Sequence, residues 1–261
     1  MQIYDLIIIG AGPAGITASV YAARKKLNFL VISLDIGGQT AWSGDIENYT
    51  GYQFISGPEL ASKFEEHLRK YGIALKENEE VLELNKSQEV ILIKTNKAEY
   101  QARSVIIASG KKSKELGVFG EKEFKNRGLT YCATCDGPLF TGKTVCVIGG
   151  GNSALDAVLQ LIKIAKQVYV INNTDSLGGD AIMRQKVEAS GNVNILNNAQ
   201  VLSVFGDKFV SGIKIKNSTG EKELAVQGVF VEIGLIPNVA FAKDVEKNAR
   251  KEIKINLRNE T

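Results

Sequence analysis

Short apolar runs followed by glycine-rich turns set the pattern of this chain. Residues 4–9, Tyr-Asp-Leu-Ile-Ile-Ile, form a run of the kind that is buried in a parallel sheet. A glycine-rich segment follows directly, the pattern of residues 16–26 predicts a helix, and residues 29–33 predict a second strand. This order of strand, turn, helix and strand predicts a βαβ unit.

The turn of this first unit matches the G-x-G-x-x-G fingerprint of dinucleotide sites. Glycines at these positions permit a tight turn, let a pyrophosphate approach the backbone, and allow the helix to pack on the strand. The N-terminus of the helix then offers free N–H groups to phosphates. We therefore predict that a dinucleotide is bound by Gly10, Gly12, Pro13, Ala14 and Gly15.

A second fingerprint repeats this arrangement further along the chain. A strand at residues 144–148 leads into Gly-Gly-Gly-Asn-Ser-Ala, a helix is predicted at residues 154–163, and the next strand at residues 167–171. Alanine is an accepted residue at the last fingerprint position. The predicted dinucleotide contacts of this second site are Gly149, Gly151, Asn152, Ser153 and Ala154.

The residues that follow this second unit indicate which nicotinamide cofactor it could bind. Residues 172–175, Asn-Asn-Thr-Asp, contain no arginine or lysine, although a 2′-phosphate needs a cation there. The amide of Asn172 could instead contact a ribose hydroxyl, so we predict NADH rather than NADPH. The alternative that this site has lost nucleotide binding and survives as a scaffold stays open.

Two cysteines lie between the fingerprints, in the segment Cys132-Ala133-Thr134-Cys135-Asp136. A CxxC pair can close a small disulfide and depress the pKa of a thiol, and an adjacent carboxylate can exchange a proton. A zinc site is disfavoured, because the sequence has no second CxxC and its one histidine is distant. We predict that Cys132, Cys135 and Asp136 are catalytic; the alternative for Asp136 is a role as an N-cap or turn former before Gly137-Pro138.

Composition and charge exclude several other classes of protein. The 261 residues carry a net charge of +3 without a long basic run, which argues against nucleic-acid binding. No stretch of about 18 unbroken apolar residues exists, so no membrane span is predicted. The chain enters its first strand almost at once, which leaves no room for a signal peptide and predicts a cytoplasmic location.

Weaker patterns predict the remaining elements. Residues 58–70 and 181–190 read as amphipathic helices, and residues 89–94 and 99–103 as an antiparallel pair of strands. Meander-like strands are predicted at residues 201–205, 209–216 and 223–226.

Several separate motifs together resemble the low-molecular-weight thioredoxin reductases, which are class II pyridine nucleotide-disulfide oxidoreductases. They are the CxxC-Asp-Gly segment before Gly149–Asn152, Gly37-Gly38-Gln39, residues 45–49 (Asp-Ile-Glu-Asn-Tyr) and residues 233–238 (Ile-Gly-Leu-Ile-Pro-Asn). Residues 136–140 and 149–153 are closer to the related flavoprotein subunit of alkyl hydroperoxide reductase, which is NADH-linked. The resemblance runs through the whole chain.

The resemblance implies an α/β fold of two Rossmann-like, three-layer ββα domains. Residues 1–113 and 232–261 are expected to form the FAD domain, with the NAD(P) domain, residues 114–231, inserted between them. FAD is expected at the first fingerprint, and its further contacts are Gly38, Gln39, Asn48 and Gly110.

The resemblance also implies an electron path and an assembly. Electrons pass from NADH through FAD to the disulfide of Cys132 and Cys135, and then to a thioredoxin-like or glutaredoxin-like partner. Cys135 is expected nearest the flavin, Cys132 to attack the partner as the exposed thiolate, and Asp136 to be the acid–base group. The protein is expected to be a homodimer.

The chain departs from this family at its end. Members continue past residues 253–256 into a second FAD motif, so we expect this chain to be a portion of a longer protein that holds FAD weakly on its own. The alternative is a natural short form with a half-built FAD pocket. Alternative functions are a flavin disulfide reductase fed by ferredoxin or another donor with an idle nicotinamide site, a dithiol oxidase, or a cofactor-poor non-catalytic fragment.

Overall fold

The structure is a computed structural model that describes residues 2–87 and 89–261. The chain forms two compact units: the first contains the residues up to 112 together with residues 236–261, and the second contains residues 113–235. The predicted α/β fold of dinucleotide-binding type, with one unit inserted into the sequence of the other, is confirmed. Met1 and Gln88, which belong to the predicted first segment, lie outside the described residues.

The elements have the following bounds. The strands are β1 (Ile3–Ala11), β2 (Phe29–Ile36), β3 (Asp45–Ile46), β4 (Ile55–Ser56), β5 (Leu75–Lys76), β6 (Val81–Lys86), β7 (Ile91–Thr95), β8 (Glu99–Ile107), β9 (Lys111–Ser113), β10 (Leu129–Thr130), β11 (Thr144–Ile148), β12 (Gln167–Ile171), β13 (Val193–Leu196), β14 (Gln200–Gly206), β15 (Val210–Asn217), β16 (Gly220–Ala225), β17 (Gly228–Val231) and β18 (Leu235–Pro237). The α-helices are α1 (Pro13–Arg24), α2 (Gly57–Lys70), α3 (Glu121–Phe124), α4 (Ala133–Asp136), α5 (Asn152–Leu161) and α6 (Ala181–Glu188), and 3₁₀ turns occupy Gly38–Trp42 and Gly137–Phe140. Among the described residues, none of these helices is both long and apolar enough to cross a membrane.

A six-stranded sheet organises the first unit, in the order β5-β2-β1-β8-β7-β6. β1 pairs in parallel with β2 and β8, whereas β6, β7 and β8 pair antiparallel. The predicted antiparallel pair of strands is therefore present, but β8 continues to Ile107 and joins the parallel part of the sheet. The sequence does not predict β6, because polar and charged residues interrupt its apolar alternation.

Burial of β1 on both faces explains its unbroken apolar run. Leu6 and Ile8 belong to the core cluster that includes side chains of α1 and α2. Ile7 and Ile9 point to the opposite face and pack with Ile93 of β7. Successive residues of a strand alternate between the faces of a sheet, so a strand covered on both sides is apolar at every position.

The second unit has three layers. Its five strands β10-β17-β11-β12-β13 are parallel, and β14, β15 and β16 form a separate antiparallel sheet. Val145 and Val147 of β11 pack with side chains of α5, whereas Cys146 and Ile148 pack with side chains of β14 and β15. Helices, parallel sheet and antiparallel sheet therefore stack in that order, as the predicted ββα architecture requires, and the predicted meander is confirmed.

Both fingerprint helices begin earlier than their apolar periodicity predicts. α1 starts at Pro13 and α5 at Asn152, whereas the pattern predicts starts at residues 16 and 154. Proline suits the first helical position, since its φ is already helical and the N–H that it lacks has no partner within the helix. The apolar pattern becomes visible only after the first turn has passed.

Gly15 provides a test of how tightly the first turn is packed. A Cβ at this position would lie 1.9 Å from the carbonyl oxygen of Gly10. We predict that Gly15→Ala lowers the free energy of unfolding by about 3 kcal/mol, because the backbone of the turn must move. Urea unfolding followed by circular dichroism measures this change.

Gly12→Ala is the matched control. A Cβ at Gly12 would meet no heavy atom within 4 Å in the described part of the chain, so we expect a loss of about 1 kcal/mol or less. Equal stability of Gly15→Ala and the wild type would contradict the packing described for this turn.

Candidate dinucleotide and redox sites

The first fingerprint leaves the start of α1 open to a ligand. Gly12 is the N-cap of α1, and within the described residues no side chain caps the helix there. Gly10 has φ of +106°, and a Cβ at this position would lie 2.3 Å from the carbonyl oxygen of Ala108. The turn is therefore narrow enough to require glycine, and it presents uncapped N–H groups that suit a pyrophosphate.

The segment around Gly38 lies along this turn. A Cβ at Gly38 would come within 3.5 Å of the Cα of Gly12, and the N–H of Gly37 donates to the carbonyl of Ala11 (2.8 Å). A cavity of about 280 Å³ opens beside it. The residues that line the cavity are Pro13, Gln39, Thr40, Ser43, Ile46, Tyr49, Leu60 and Phe64.

The predicted contacts of the first site agree in part with this geometry. Pro13 and Gln39 line the cavity, whereas Asn48 is exposed and is not among the lining residues of the described chain. Ligand pockets commonly measure about 300–1,000 Å³, so this cavity suits one portion of a dinucleotide. The remainder of such a ligand would extend along the open turn at Gly12.

Hydrogen bonds of Asn238 stabilise the turn at Ser109 and Gly110, which faces this fingerprint. The sequence places Asn238 in a family motif but does not predict this structural role. Its N–H donates to the carbonyl of Gly110 (3.0 Å), and its Nδ2 donates to the carbonyl of Ser109 (3.1 Å). The hydroxyl of Ser109 donates back to the carbonyl of Asn238 (2.7 Å). Gly110 itself has φ of +63°, which favours glycine at this turn.

The second fingerprint has the same geometry as the first. Gly151 is the N-cap of α5, and neither a capping side chain nor an atom within 4 Å of its Cβ position is found in the part of the chain that is described. Gly149 has φ of +135°, and a Cβ there would lie 2.2 Å from the carbonyl oxygen of Glu232. Gly149 and Gly151 therefore correspond to Gly10 and Gly12.

Asn172 is committed to the protein rather than open to a ligand. It is 2% exposed, and its Nδ2 lies within hydrogen-bond distance of the Thr174 carbonyl (3.1 Å), the Ser176 carbonyl (3.0 Å) and Oδ1 of Asn197 (2.9 Å). Its Oδ1 accepts from the hydroxyl of Thr174 (3.0 Å). The predicted contact with a ribose hydroxyl would require one of these bonds to break.

The loop after β12 folds back over the second fingerprint. The N–H of Gly178 donates to the carbonyl of Gly150 (2.7 Å), and the N–H of Asp180 donates to Oδ1 of Asn152 (2.7 Å). The side chain of Asn152, a predicted cofactor contact, therefore ties the loop to the turn. Ser153 and Ala154 follow in the first turn of α5.

The side chain of Arg184, in α6, places a positive charge at this loop. The sequence did not predict this charge. Its Nη1 donates to the carbonyl of Leu177 (3.3 Å), and its Nε is buried without a hydrogen-bond partner among the described residues. The prediction of NADH rests on residues 172–175, which contain no arginine or lysine. Arg184 lies outside these four residues, on a helix, so their composition could not indicate it.

Cys132 and Cys135 form a disulfide at the start of α4. Cys132 is the N-cap residue, and its Sγ accepts a hydrogen bond from the N–H of Cys135 (3.1 Å). In this oxidised form Cys135 is exposed and Cys132 is half-buried. The expectation that Cys132 becomes the exposed thiolate concerns the reduced form and stays a prediction.

Asp136 lies beside the disulfide and does not act as a side-chain cap. Its Oδ2 accepts a hydrogen bond from the hydroxyl of Thr130, and the same hydroxyl oxygen accepts from the N–H of Cys132 (3.2 Å). Asp136 is the N-cap residue of the 3₁₀ turn Gly137–Phe140, but within the described chain its carboxylate makes no capping hydrogen bond, which disfavours the N-cap alternative. Thr130 thus links Asp136 to the backbone of the dithiol turn.

A buried carboxylate supports the residue that precedes the disulfide. Glu121 is 3% exposed and accepts hydrogen bonds from the N–H groups of Leu116 and Gly117 and from the hydroxyl of Tyr131, each at 2.7 Å. Burial, with the hydrogen bond to Glu121, raises the pKa of Tyr131. Tyr131 is therefore a neutral hydrogen-bond donor, and its bond to Glu121 positions the residue that leads into the dithiol turn.

Polar side chains on one face of α5 connect this turn to a pair of carboxyl groups. The hydroxyl of Thr134 donates to Oε1 of Gln160 (2.8 Å), and Nε2 of Gln160 donates to Oδ2 of Asp156 (3.1 Å). Burial and then the charge of Asp156 raise the pKa of Glu232 to about 8. Neither Gln160 nor Glu232 stands out in the sequence, because the residues they act on, Thr134 and Asp156, lie in other segments of the chain.

The chain matches a known family along almost its whole length. The profile described as pyridine nucleotide-disulphide oxidoreductase matches residues 4–261. A thioredoxin reductase of Bacillus subtilis (strain 168) is 39% identical over 267 residues, which cover 97% of this chain and 84% of that protein. The solved structure of T. acidophilum thioredoxin reductase has a TM-score of 0.92 and 39% identity, and the match covers 99% of this chain and 86% of that chain.

Two other relatives are longer proteins. The NADH dehydrogenase of Bacillus subtilis (strain 168) is 38% identical over 253 residues, and an alkyl hydroperoxide reductase subunit of Pseudomonas putida is 37% identical over 273 residues. These matches cover 96% and 100% of this chain but 50% and 51% of the two relatives, so the chain spans about half of their length. The predicted resemblance to thioredoxin reductases and to the alkyl hydroperoxide reductase subunit is confirmed.

The raised pKa of Glu232 predicts a specific dependence of stability on pH. A carboxyl whose pKa is about 8 in the folded state, against 4.5 normally, binds its proton more tightly when folded, so its contribution to stability is lost as the pH rises between these values. We predict that the free energy of unfolding of Glu232→Gln, relative to the wild type, grows by about 3–4 kcal/mol from about pH 5 to pH 8.

Urea unfolding at a series of pH values measures this difference, and Glu188→Gln, at an exposed position of α6, is the control. A difference between Glu232→Gln and the wild type that stays constant across the range would show that Glu232 is ionised in the folded protein.

Proposed function

The chain belongs to the pyridine nucleotide-disulphide oxidoreductase family, and we propose that it is a flavin-dependent protein-disulfide reductase fed by NADH. In this proposal residues 1–113 and 232–261 form the FAD domain and residues 114–231 the nucleotide domain. Electrons leave through Cys132 and Cys135 to a thioredoxin-like or glutaredoxin-like protein.

The observation that carries the proposal is the place of the disulfide. Cys132 and Cys135 are paired beside Asp136, in the same unit as an open dinucleotide turn at Gly149–Gly151. A dithiol, a proton donor and a nucleotide site on one scaffold suit transfer of electrons to a disulfide. The thioredoxin reductase relatives favour the same chemistry.

The residues of the first unit fit FAD. The uncapped start of α1 at Gly12 suits its pyrophosphate, and the cavity lined by Pro13 and Gln39 suits one end of the molecule. Gly38 and Gly110 lie at turns with positive φ beside this path. When bound, FAD would take electrons from the nicotinamide and deliver a pair of them to the disulfide.

The two cysteines take different roles in this proposal. Cys135 accepts the electron pair, and the sulfur–sulfur bond breaks to leave a thiolate on Cys132 and a thiol or thiolate on Cys135. The N–H of Cys135, which already points at Sγ of Cys132 (3.1 Å), stabilises this thiolate. Cys132 then attacks the disulfide of the partner, and Cys135 displaces the partner by re-forming the bond to Cys132.

Asp136 handles the proton in the same cycle. It lies next to Cys135 in the sequence and is held by the hydroxyl of Thr130. In its protonated form it gives a proton to the departing thiolate, and as a carboxylate it takes one from a thiol.

We assign NADH as the donor in preference to NADPH. Residues 172–175 offer no cation to a 2′-phosphate, and one relative is called an NADH dehydrogenase. Arg184, near the carbonyl of Leu177, is the cation that counts against this assignment. A homodimer and a cytoplasmic location complete the proposal.

A second candidate function is favoured by one observation. The side chain of Asn172 is fully bonded within the protein, which is what an idle nicotinamide site would show. In that case ferredoxin or another donor feeds the flavin, and the dithiol either reduces a partner or passes electrons to oxygen.

Substitution of the dithiol tests the exit of the proposed path. With FAD supplied in excess, Cys132→Ser should still allow NADH to reduce the flavin, but it should form no thiols on an added thioredoxin, because the attacking sulfur is missing. The thioredoxin thiols are counted after an anaerobic reaction. Cys146→Ala is the control, since Cys146 is buried in β11 and burial raises its pKa. Turnover by Cys132→Ser would overturn the assignment.

Rapid mixing with nucleotides tests the entry of the path. We expect NADH to bleach the flavin under anaerobic conditions at least about tenfold faster than NADPH, which corresponds to about 1.4 kcal/mol. Faster bleaching by NADPH would show that Arg184 or another cation recognises the 2′-phosphate. Bleaching by neither nucleotide would favour the second candidate.

A further inference from the structure

A line of hydrogen bonds joins the residue between the two cysteines to α5. Thr134 Oγ1 donates to Gln160 Oε1 (2.8 Å), and Gln160 Nε2 donates to Asp156 Oδ2 (3.1 Å). Asp156 and Gln160 are four residues apart, so they lie on the same face of the helix. The line therefore runs along α5 from near its fingerprint end to the dithiol turn.

Gln160 is the central residue of this line of hydrogen bonds, because it accepts one bond and donates the other. A carboxylate accepts hydrogen bonds and a hydroxyl can donate one, whereas an amide side chain does both at once. The bond to Asp156 is charge-assisted, and such bonds are stronger than neutral ones. Burial and then the charge of Asp156 raise the pKa of the neighbouring Glu232 to about 8.

The dithiol turn needs such support most when its disulfide is open. α4 spans four residues, too few for a helix to be stable alone in water. The N–H of Cys135 reaches Sγ of Cys132 only while the turn keeps its shape. Once reduction removes the covalent link, side-chain contacts to the rest of the unit must hold this arrangement.

We propose that Gln160 is a positioning residue for the redox centre: through Thr134 it keeps the N–H of Cys135 directed at the Cys132 sulfur after the disulfide opens, and so stabilises the Cys132 thiolate. The inference rests on the proposed function insofar as that function assigns Cys132 as the attacking thiolate. It adds a residue that lies outside both fingerprints and outside the CxxC motif.

The test compares the reactivity of Cys132 in the reduced 261-residue chain. Alkylation by iodoacetamide is followed against pH, and the modified cysteine is identified by peptide mass spectrometry. Gln160→Leu and Thr134→Val should each move the midpoint for Cys132 upwards by about half a pH unit and slow its alkylation at pH 7 about threefold. Thr134→Ser keeps the hydroxyl and should restore the wild-type profile.

Two controls separate positioning from a general loss of structure. Gln167→Leu removes another glutamine hydrogen bond of the same unit, to the carbonyl of Asn192 (2.9 Å), and Thr141→Val removes a hydroxyl bond to Pro138 (2.9 Å) in the turn that follows. Both should leave the Cys132 profile unchanged. The other ionisable groups around the turn, Tyr131 and Asp136, are the same in every variant.

The outcomes distinguish this inference from the proposed function. Wild-type profiles in Gln160→Leu and Thr134→Val, or equal shifts in the two controls, would overturn the role of Gln160. If Gln160→Leu does not fold, the Thr134→Val and Thr134→Ser pair decides. Failure of the wild type to reduce thioredoxin, together with the expected shifts, would overturn the proposed function while the role of Gln160 in the dithiol turn stands.

Discussion

Two strand-to-helix turns constrain the rest of the structure. In each turn the backbone comes too close to a neighbouring strand for a side chain to fit. At Gly10 and Gly149 a Cβ would lie 2.3 Å and 2.2 Å from the carbonyl oxygens of Ala108 and Glu232. Each turn leads into a helix start, at Gly12 and Gly151, where no side chain of the described residues caps the helix and none of their heavy atoms lies within 4 Å of the Cβ position. Each unit contains one such turn, and each turn suits the pyrophosphate of a dinucleotide.

The second turn also determines where the dithiol is supported. α5 begins at the fingerprint with Asn152 and carries Asp156 and Gln160 along one face towards the Cys132–Cys135 turn. In the proposed function, one helix therefore serves the nucleotide site at its start and the redox centre along its length. Such sharing places both groups on rigid structure, which precise redox chemistry requires.

The sequence predicted the features that depend on neighbouring residues. Alternation and glycine spacing are local properties, so the two βαβ units and the antiparallel meander could be predicted, although both fingerprint helices began earlier than expected. Strand β6 was missed because polar residues disguise its alternation. Arg184, Glu121 and Gln160 were missed for a different reason: each acts on a residue from another segment of the chain, and no spacing pattern records such a meeting.

The central claim is that electrons from NADH reach the Cys132–Cys135 disulfide. The most direct measurement is a count of alkylated cysteines by mass spectrometry after the chain, supplied with FAD, has been treated anaerobically with NADH. If electrons follow this path, Cys132 and Cys135 change from a disulfide to two labelled thiols, while omission of NADH leaves them paired. A disulfide that stays intact although the flavin is fully reduced would show that electrons do not reach it.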